Sequence, residues 1–150
     1  MTTGMTNRGQ LMLLKFAFGE ETVPTSFKVK LVTDSSIAPT VDLFSELNEI
    51  PAGGGYSLGG TSFDKDDITF TQYNGDIHAM AVVADDTILW TATGPIPSSG
   101  TGYTFAVITD GSTADNVIAY VDLEGPDSLN EFEILSVNKI QFWSVDQSSL

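Results

Sequence analysis

One serine of the chain lies in a spacing that some enzymes use for catalysis. Gly55, Ser57 and Gly59 match the G-x-S-x-G nucleophile elbow of α/β-hydrolases, in which a strand leads into the serine and a helix follows it. The surroundings do not fit, because a glycine run precedes Tyr56 and no helix-forming run follows Gly59. His78, the sole histidine and thus the only imidazole base, stands in an apolar strand pattern. We therefore predict that the chain is not an enzyme.

Acidic side chains are the second group that could do chemistry. They cluster at residues 64–67, at Asp85 and Asp86, and in the segment 110–116. Calcium prefers several convergent oxygen ligands, and the Asp, Ser and Asn residues of 110–116 are the best placed to supply them. None of the clusters has EF-hand spacing, so a solvated hairpin turn is favoured. The sequence predicts no metal site and no cofactor.

Aromatic side chains near strand ends could bind either a sugar or a protein. Tyr56, Tyr73 and Tyr103 stand where a carbohydrate-binding sandwich would present stacking rings, and equally where a sandwich rim would pack on a neighbour. The loop 94–102 contains no charged residue, although the chain is strongly acidic. Because the cores of protein interfaces are depleted in charge, this loop is a candidate contact surface.

Composition restricts these options further. The 150 residues suffice for one domain with its own core. The absence of cysteine excludes disulfides, thiolate catalysis, zinc–thiolate sites and iron–sulfur clusters. No apolar run approaches the roughly 18 residues of a membrane span. We predict a single domain over residues 9–150, preceded by a flexible segment 1–8.

The net charge of −14 is unevenly distributed. Residues 1–30 carry four basic and two acidic side chains, a balance of +2, and residues 31–150 carry two basic and eighteen acidic ones, a balance of −16. Such a body repels nucleic acid and anionic membranes, because phosphate binding needs clustered Lys and Arg. We predict neither as a partner. The amino-terminal stretch could lie against a more acidic partner.

The elements that position these groups begin with a helix–strand–helix portion, residues 9–48. Helical spacing of apolar residues predicts a helix over 9–18 that ends at Gly19. Thr40 is the predicted N-cap of a second short helix over 41–47. A strand is predicted over 27–33. Its apolar face is formed by Phe27, Val29 and Leu31, and its charged face by Lys28 and Lys30. The lysines are either a solvated strand face or part of a binding surface.

From residue 56 onward the pattern is that of strands. Runs rich in Val, Ile, Thr, Phe and Tyr alternate with turn residues. We predict a mainly β fold, an antiparallel, jelly-roll-like β-sandwich of seven to nine strands with one or two short amino-terminal helices. The predicted strands are 56–63, 67–73, 77–84, 87–93, 103–109, 116–123, 131–135 and 137–145. The predicted core is Phe27, Val29, Leu31, Ile88, Trp90, Phe105, Val107, Val121, Phe132, Ile140 and Phe142.

The order of these parts resembles a family of small structural proteins of tailed-bacteriophage virions, over about residues 10–143. After a short helix comes a Pro-Thr-Ser strand at 24–33, followed by the Gly-Gly-Tyr step at 54–56. A strand bearing Trp90 comes next, and the strands 103–108, 117–123 and 139–142 complete the order. Residues 124–132 depart from the family pattern, where a glycine-centred turn is expected, and the chain is more acidic than is usual.

The resemblance implies a non-enzymatic virion component with a β-sandwich body. Members serve in capsid decoration, as minor capsid proteins, or in tails and fibres. A small acidic domain without a stalk favours a decoration, or cement, protein on the exterior of the phage head, made in the cytoplasm of the bacterial host. Its partners would be the major capsid protein and further copies of itself, with a trimer favoured or lattice contacts between copies. The alternative is a tail, baseplate or fibre module that recognises host carbohydrate.

The amino-terminal segment is the predicted anchor. A short isolated helix does not hold itself in water, so its apolar side chains pack either on the domain's own core or on a neighbouring subunit. Both options remain open from the sequence. The candidate partner-contact residues are Arg8, Leu11, Leu14, Lys15, Phe16, Phe18, Tyr56, Pro95, Ile96 and Tyr103.

Overall fold

The structure, a computed structural model, describes residues 2–73, 78–84, 87–137 and 140–144. In this part of the chain the fold is mainly β, with antiparallel sheets and one α-helix, α1 (Asn7–Ala17). Short 3₁₀ turns lie at Phe44–Glu46 and Lys65–Asp67. The strands are β1 (Thr2–Met5), β2 (Ser26–Val32), β3 (Thr61–Asp64), β4 (Ile68–Tyr73), β5 (His78–Val83), β6 (Leu89–Thr91), β7 (Tyr103–Thr109), β8 (Val117–Asp127), β9 (Ile134–Ser136) and β10 (Gln141–Ser144).

The largest sheet has five strands in the order β1-β8-β7-β2-β3, and every neighbouring pair is antiparallel. A three-stranded sheet has the order β10-β5-β4, and β6 pairs with β9 as a two-stranded ribbon. The prediction of a mainly β, antiparallel fold is therefore confirmed. The predicted strand 103–109 is found with the same bounds as β7.

The central strand of the five-stranded sheet, β7, is buried on both faces. Alternate residues of β7 belong to two separate hydrophobic clusters. Ala106 and Ile108 belong to the main core, and Phe105 and Val107 belong to a smaller cluster. The smaller cluster is closed by Ile37 and Phe44 from the segment between β2 and β3. Every residue of β7 is buried, because a strand covered on both faces has no solvent side.

The predicted core is confirmed at nine of its eleven positions: Phe27, Val29, Leu31, Ile88, Trp90, Phe105, Val107, Val121 and Ile140. Phe132 was predicted wrongly and is 81% exposed. It lies in a turn with φ 72°, and β9 begins only at Ile134, so the strand alternation assumed for 131–135 does not apply there. Phe142 lies outside the residues whose side chains the structure describes.

Residues 2–8, which belong to the segment predicted to be flexible, contain β1 and the first residues of α1. β1 pairs with β8 from Thr2 to Met5, and α1 begins directly afterwards. Thr6 is the N-cap, since its Oγ1 accepts a hydrogen bond from Gly9 N at 2.9 Å and donates one to Val117 O at 2.7 Å. The strand pairing and the Thr6 cap thus give backbone partners to this polar segment, and its flexibility stays a prediction.

The second predicted helix is reduced to one 3₁₀ turn. Its N-cap is Leu43 rather than Thr40. The Glu46 carboxylate accepts hydrogen bonds from Leu43 N at 2.7 Å and Asp42 N at 2.9 Å, and these bonds lower the pKa of Glu46. The segment stays irregular because Phe44 turns inward to cover the smaller cluster.

Candidate functional site

The G-x-S-x-G spacing does not form a nucleophile elbow. Tyr56 and Gly53 exchange two backbone hydrogen bonds, of 2.9 and 3.0 Å, so the serine follows a tight turn rather than a strand. β3, not a helix, comes next in the chain. Ser57 is exposed, and the side chain of His78 lies outside the described part. The absence of enzyme activity stays a prediction.

The glycine run 53–55 instead permits a close backbone contact. Gly53, Gly54 and Gly55 have φ values of 132°, 64° and 102°. A Cβ atom on Gly54 would lie 2.1 Å from the carbonyl oxygen of Pro95, so no other residue fits without a backbone shift. Thr93 N donates to Gly54 O at 2.9 Å. The glycine run therefore lets the turn 53–56 pack directly against the backbone that follows β6.

Tyr56 was predicted to be a contact residue at the rim, but it lies in the core with 2% of its surface exposed. Its hydroxyl accepts a hydrogen bond from Leu31 N at 3.1 Å and donates to Glu49 Oε1 at 2.8 Å. Gly59 N donates to the same Glu49 oxygen at 2.7 Å. Burial raises the pKa of Tyr56, which keeps the phenol protonated as the donor to Glu49.

Two more predicted contact residues are also buried. Ile96 exchanges backbone hydrogen bonds of 3.0 and 2.8 Å with Leu129, and its side chain has no exposed surface. Tyr103 is buried, and burial, followed by the charges of Asp127 and Glu133, raises its pKa to about 12. Of the predicted contacts in the loop 94–102, only Pro95 reaches the surface. Within the loop only Ile96 and Pro97 are buried, whereas residues 98–101 are exposed.

The acidic turn 110–116 uses its carboxylates within the chain. Asp110 accepts hydrogen bonds from the backbone N–H groups of Ser112 and Asn116 and from both of their side chains, at 2.7 to 3.1 Å. Partial burial tends to raise the pKa of Asp110, but these hydrogen bonds outweigh it and the pKa is lowered. No group of three His, Asp or Glu side chains in the described ranges is placed to hold a metal ion.

Lys30 belongs to neither a solvated nor a binding face, contrary to the sequence interpretation. Only 8% of the residue is exposed, whereas Lys28 lies in solvent. The Lys30 ammonium binds Asp115 Oδ2 and lies 4.1 Å from the centre of the Phe44 ring. The sequence carries no signal for this pair, because its members are 85 positions apart and meet only through the sheet.

The inner face of α1 packs on this chain's own core. Met12 is buried, and Phe16 packs against the main cluster. Gly9 makes this approach possible, since a Cβ there would lie 2.0 Å from Ile118 O on β8. Arg8 also faces inward and donates to Asn116 Oδ1 at 3.0 Å. These contacts support the option that the helix covers the domain's own core.

The outer face of α1 and its C-cap carry a second set of apolar side chains. Leu11, Leu14 and Phe18 are 47%, 49% and 81% exposed. Their spacing of three and four residues places them on one side of the helix, and we call them the outer stripe. Lys15 lies beside the stripe and forms an exposed 2.8 Å salt bridge with Glu21. The inner face therefore covers the domain's own core, and packing of the outer stripe on a neighbouring subunit stays a prediction.

An open pocket of about 380 Å³ lies beside β1, the edge strand of the large sheet. Gly4 leaves room for the Tyr120 ring that lines the pocket, because a Cβ there would lie 2.3 Å from this ring. The Tyr120 ring in turn packs edge-on against Phe105, with centroids 5.8 Å apart. The lining combines aromatic and hydroxyl groups with one carboxylate: Thr3, Gly4, Ser35, Ser36, Ile37, Phe105, Tyr120 and Asp122. No motif in the sequence indicates this pocket, because its lining residues come from separate parts of the chain.

Comparisons with family models, curated proteins and solved structures find no match for this chain. The resemblance to phage virion proteins therefore stays a prediction. No helix in the described ranges is long and apolar enough to cross a membrane.

Proposed function

We propose that this chain is a non-enzymatic structural protein of a phage virion, a decoration or cement protein that binds the outside of the head. In this proposal its sheets stack as a β-sandwich, and the outer stripe docks on the major capsid protein. The carrying observation is the stripe itself: Leu11, Leu14 and Phe18 remain in solvent although the opposite face of the same helix is satisfied.

Charge supports the choice of partner surface. α1 contains Arg8 and Lys15 and no acidic residue, whereas residues 31–150 carry eighteen acidic side chains and two basic ones. The complementary partner is an apolar groove with an acidic rim. Such a groove would accept α1 and repel the rest of the domain, so charge would select the orientation of docking.

Apolar burial has to supply the affinity. Neighbouring copies on a shell repel one another through their acidic bodies, and each Å² of apolar surface removed from water contributes about 25 cal/mol. Three large side chains on one helix are the kind of compact anchor that dominates binding energy at interfaces. We also propose that the chain forms a homo-oligomer, with a trimer favoured. In this oligomer α1 attaches each copy to the capsid.

The test is binding to heads from which the chain has been stripped. The variant Leu11→Gln/Leu14→Gln/Phe18→Ser leaves Met12 and Phe16 in place, so it should fold and yet bind at least about 100-fold more weakly. The matched control Leu58→Gln/Phe70→Ser removes two other exposed apolar side chains, which are 67% and 79% exposed, and should bind normally. Full occupancy of the heads by the stripe variant would reject the proposal.

The pocket at β1 favours a second candidate function, a carbohydrate-binding module of the tail, baseplate or fibre. Sugar sites combine an aromatic ring with hydroxyl and carboxylate groups, and Tyr120, Ser35, Ser36 and Asp122 supply these here. A glycan array with the wild-type chain and the Asp122→Ala variant tests this function. Binding that depends on Asp122, together with a few copies per particle rather than hundreds, would favour this candidate over decoration.

A further inference from the structure

The pair Lys30 and Asp115 is a buried amine held against a partly buried carboxyl group. The Lys30 side chain is 10% exposed and that of Asp115 is 21% exposed, with Nζ in contact with Oδ2. The other carboxylate oxygen, Oδ1, is buried and has no hydrogen-bond partner among the described residues. Both oxygens of a buried carboxylate normally accept hydrogen bonds, because burial of a charged acceptor without a partner costs free energy.

Both reactive groups are fixed in place by their backbones. Asp115 N donates to Ser112 O at 3.0 Å, and Asp115 O accepts from Phe44 N at 2.9 Å, which holds the residue at φ 55°. Lys30 lies in β2, paired with Val107 of β7, and its Nζ lies over the Phe44 ring. Groups held together in this way react with effective molarities of about 10⁵–10⁸ M in well-oriented cases.

We propose that Lys30 and Asp115 form an intramolecular amide (isopeptide) crosslink between β2 and the 110–116 turn. The ion pair first returns to neutral amine and acid by moving one proton from Nζ to the carboxylate. The Nζ lone pair then attacks Cγ of Asp115, the N–C bond forms, and one C–O bond breaks. The departing oxygen takes that proton and a second proton from Nζ and leaves as water, so no oxidant or other reactant is needed.

The surroundings favour the amide over the ion pair. An amide removes both charges from the apolar cluster around Phe44, and it retains one carbonyl oxygen in place of the ionised carboxylate. The partial exposure of Asp115 gives the released water a path to solvent. This proposal rests on the interior of the chain and does not depend on the proposed function.

Intact-mass measurement of the folded full chain tests the crosslink. The expected mass is lower than the sequence mass by one water molecule, after allowance for removal of Met1. Digestion and fragment sequencing should then yield a branched peptide that joins residue 30 to residue 115. Trypsin should no longer cleave after Lys30, although it still cleaves after Lys28.

Three variants make the result specific. Lys30→Arg keeps the positive charge but should retain its full sequence mass, and Lys28→Arg, two positions away and exposed, should still lose one water. Asp115→Asn should lose ammonia and reach the same mass as the crosslinked wild type, because both reactions give the same amide. Circular dichroism establishes that each variant is folded.

Two outcomes would overturn the crosslink. One is a folded wild-type chain that keeps its full sequence mass after prolonged incubation, which would leave Lys30 and Asp115 as an ordinary ion pair. The other is a loss of water that persists in Lys30→Arg, which would place the loss elsewhere, for example in a cyclic imide at the Asp110–Gly111 step.

Discussion

At the scale of single residues, Phe105 is the side chain whose removal should cost most in the smaller cluster. It is 8% exposed and packs edge-on against Tyr120. Phe105→Ala leaves a cavity under the segment 33–50 and should lower the free energy of unfolding by about 3–5 kcal/mol, measured by denaturant titration. The control Phe70→Ala, 79% exposed, should change it by less than about 0.5 kcal/mol. Equal effects of the two variants would contradict the assignment of Phe105 to the core.

The raised pKa of Tyr103 predicts how the free energy of unfolding depends on pH in the alkaline range. Its pKa rises from 10.0 to about 12 on folding, so the folded state favours the neutral phenol. The free energy of unfolding should therefore stay level with respect to this group below pH 10 and fall as the pH rises toward 12. Tyr103→Phe should make that fall shallower, measured by denaturant titration from pH 9 upward. An unchanged alkaline profile in the variant would contradict the shift.

At the scale of elements, the turn 53–56 depends on Gly54 for two separate reasons. Its φ is 64°, and a Cβ would meet the Pro95 carbonyl oxygen at 2.1 Å. Gly54→Ala should cost the left-handed penalty of about 1–2 kcal/mol and, in addition, displace the backbone after β6. Gly100→Ala is the matched control, because φ is 82° and nothing lies within 4 Å of a Cβ there. Thermal unfolding should show a clearly larger loss of stability for Gly54→Ala than for Gly100→Ala. Similar losses in the two variants would contradict a role for the close contact between Gly54 and Pro95.

At the scale of the whole molecule, self-repulsion should weaken the fold at low salt. The net charge is −14, and the Debye length shortens from about 30 Å at 0.01 M to about 10 Å at 0.1 M salt. We expect sodium chloride to raise the unfolding midpoint, by about 2–4 °C if the free energy of unfolding increases by about 1 kcal/mol. Asp66→Lys, at an exposed site, should flatten this dependence. A midpoint that does not move with salt would contradict the expectation.

The proposed crosslink also acts on the whole molecule. It closes a loop that spans 85 positions of the chain, which by chain entropy stabilises the fold by about 4–5 kcal/mol. Lys30→Arg should therefore unfold at clearly lower temperature than the wild type, while Lys28→Arg unfolds like the wild type. Equal midpoints for the two variants would indicate that no loop is closed.

The sequence determined those features whose cause is local. Strand alternation and turn residues predicted β7 with its observed bounds and located β2 to within a residue or two at each end. The apolar spacing around Leu11 and Leu14 predicted α1, and Gly19 marked its end with φ 74°. Each of these signals lies within a few positions of the element that it describes, so one chain suffices to read it.

The tertiary structure alone decided the features that depend on distant partners. Lys30 has the local pattern of a surface strand residue, yet Phe44 of the segment 33–50 covers it and Asp115 reaches it from the turn between β7 and β8. Tyr56 was predicted at the start of a strand and Ile96 in a surface loop, but both are buried, with hydrogen bonds to Leu31 and Leu129. Phe132 shows the reverse, because its left-handed backbone turns an aromatic ring out to solvent. Burial is a property of the assembled sheets, and the sequence near a residue does not contain the surfaces that will cover it.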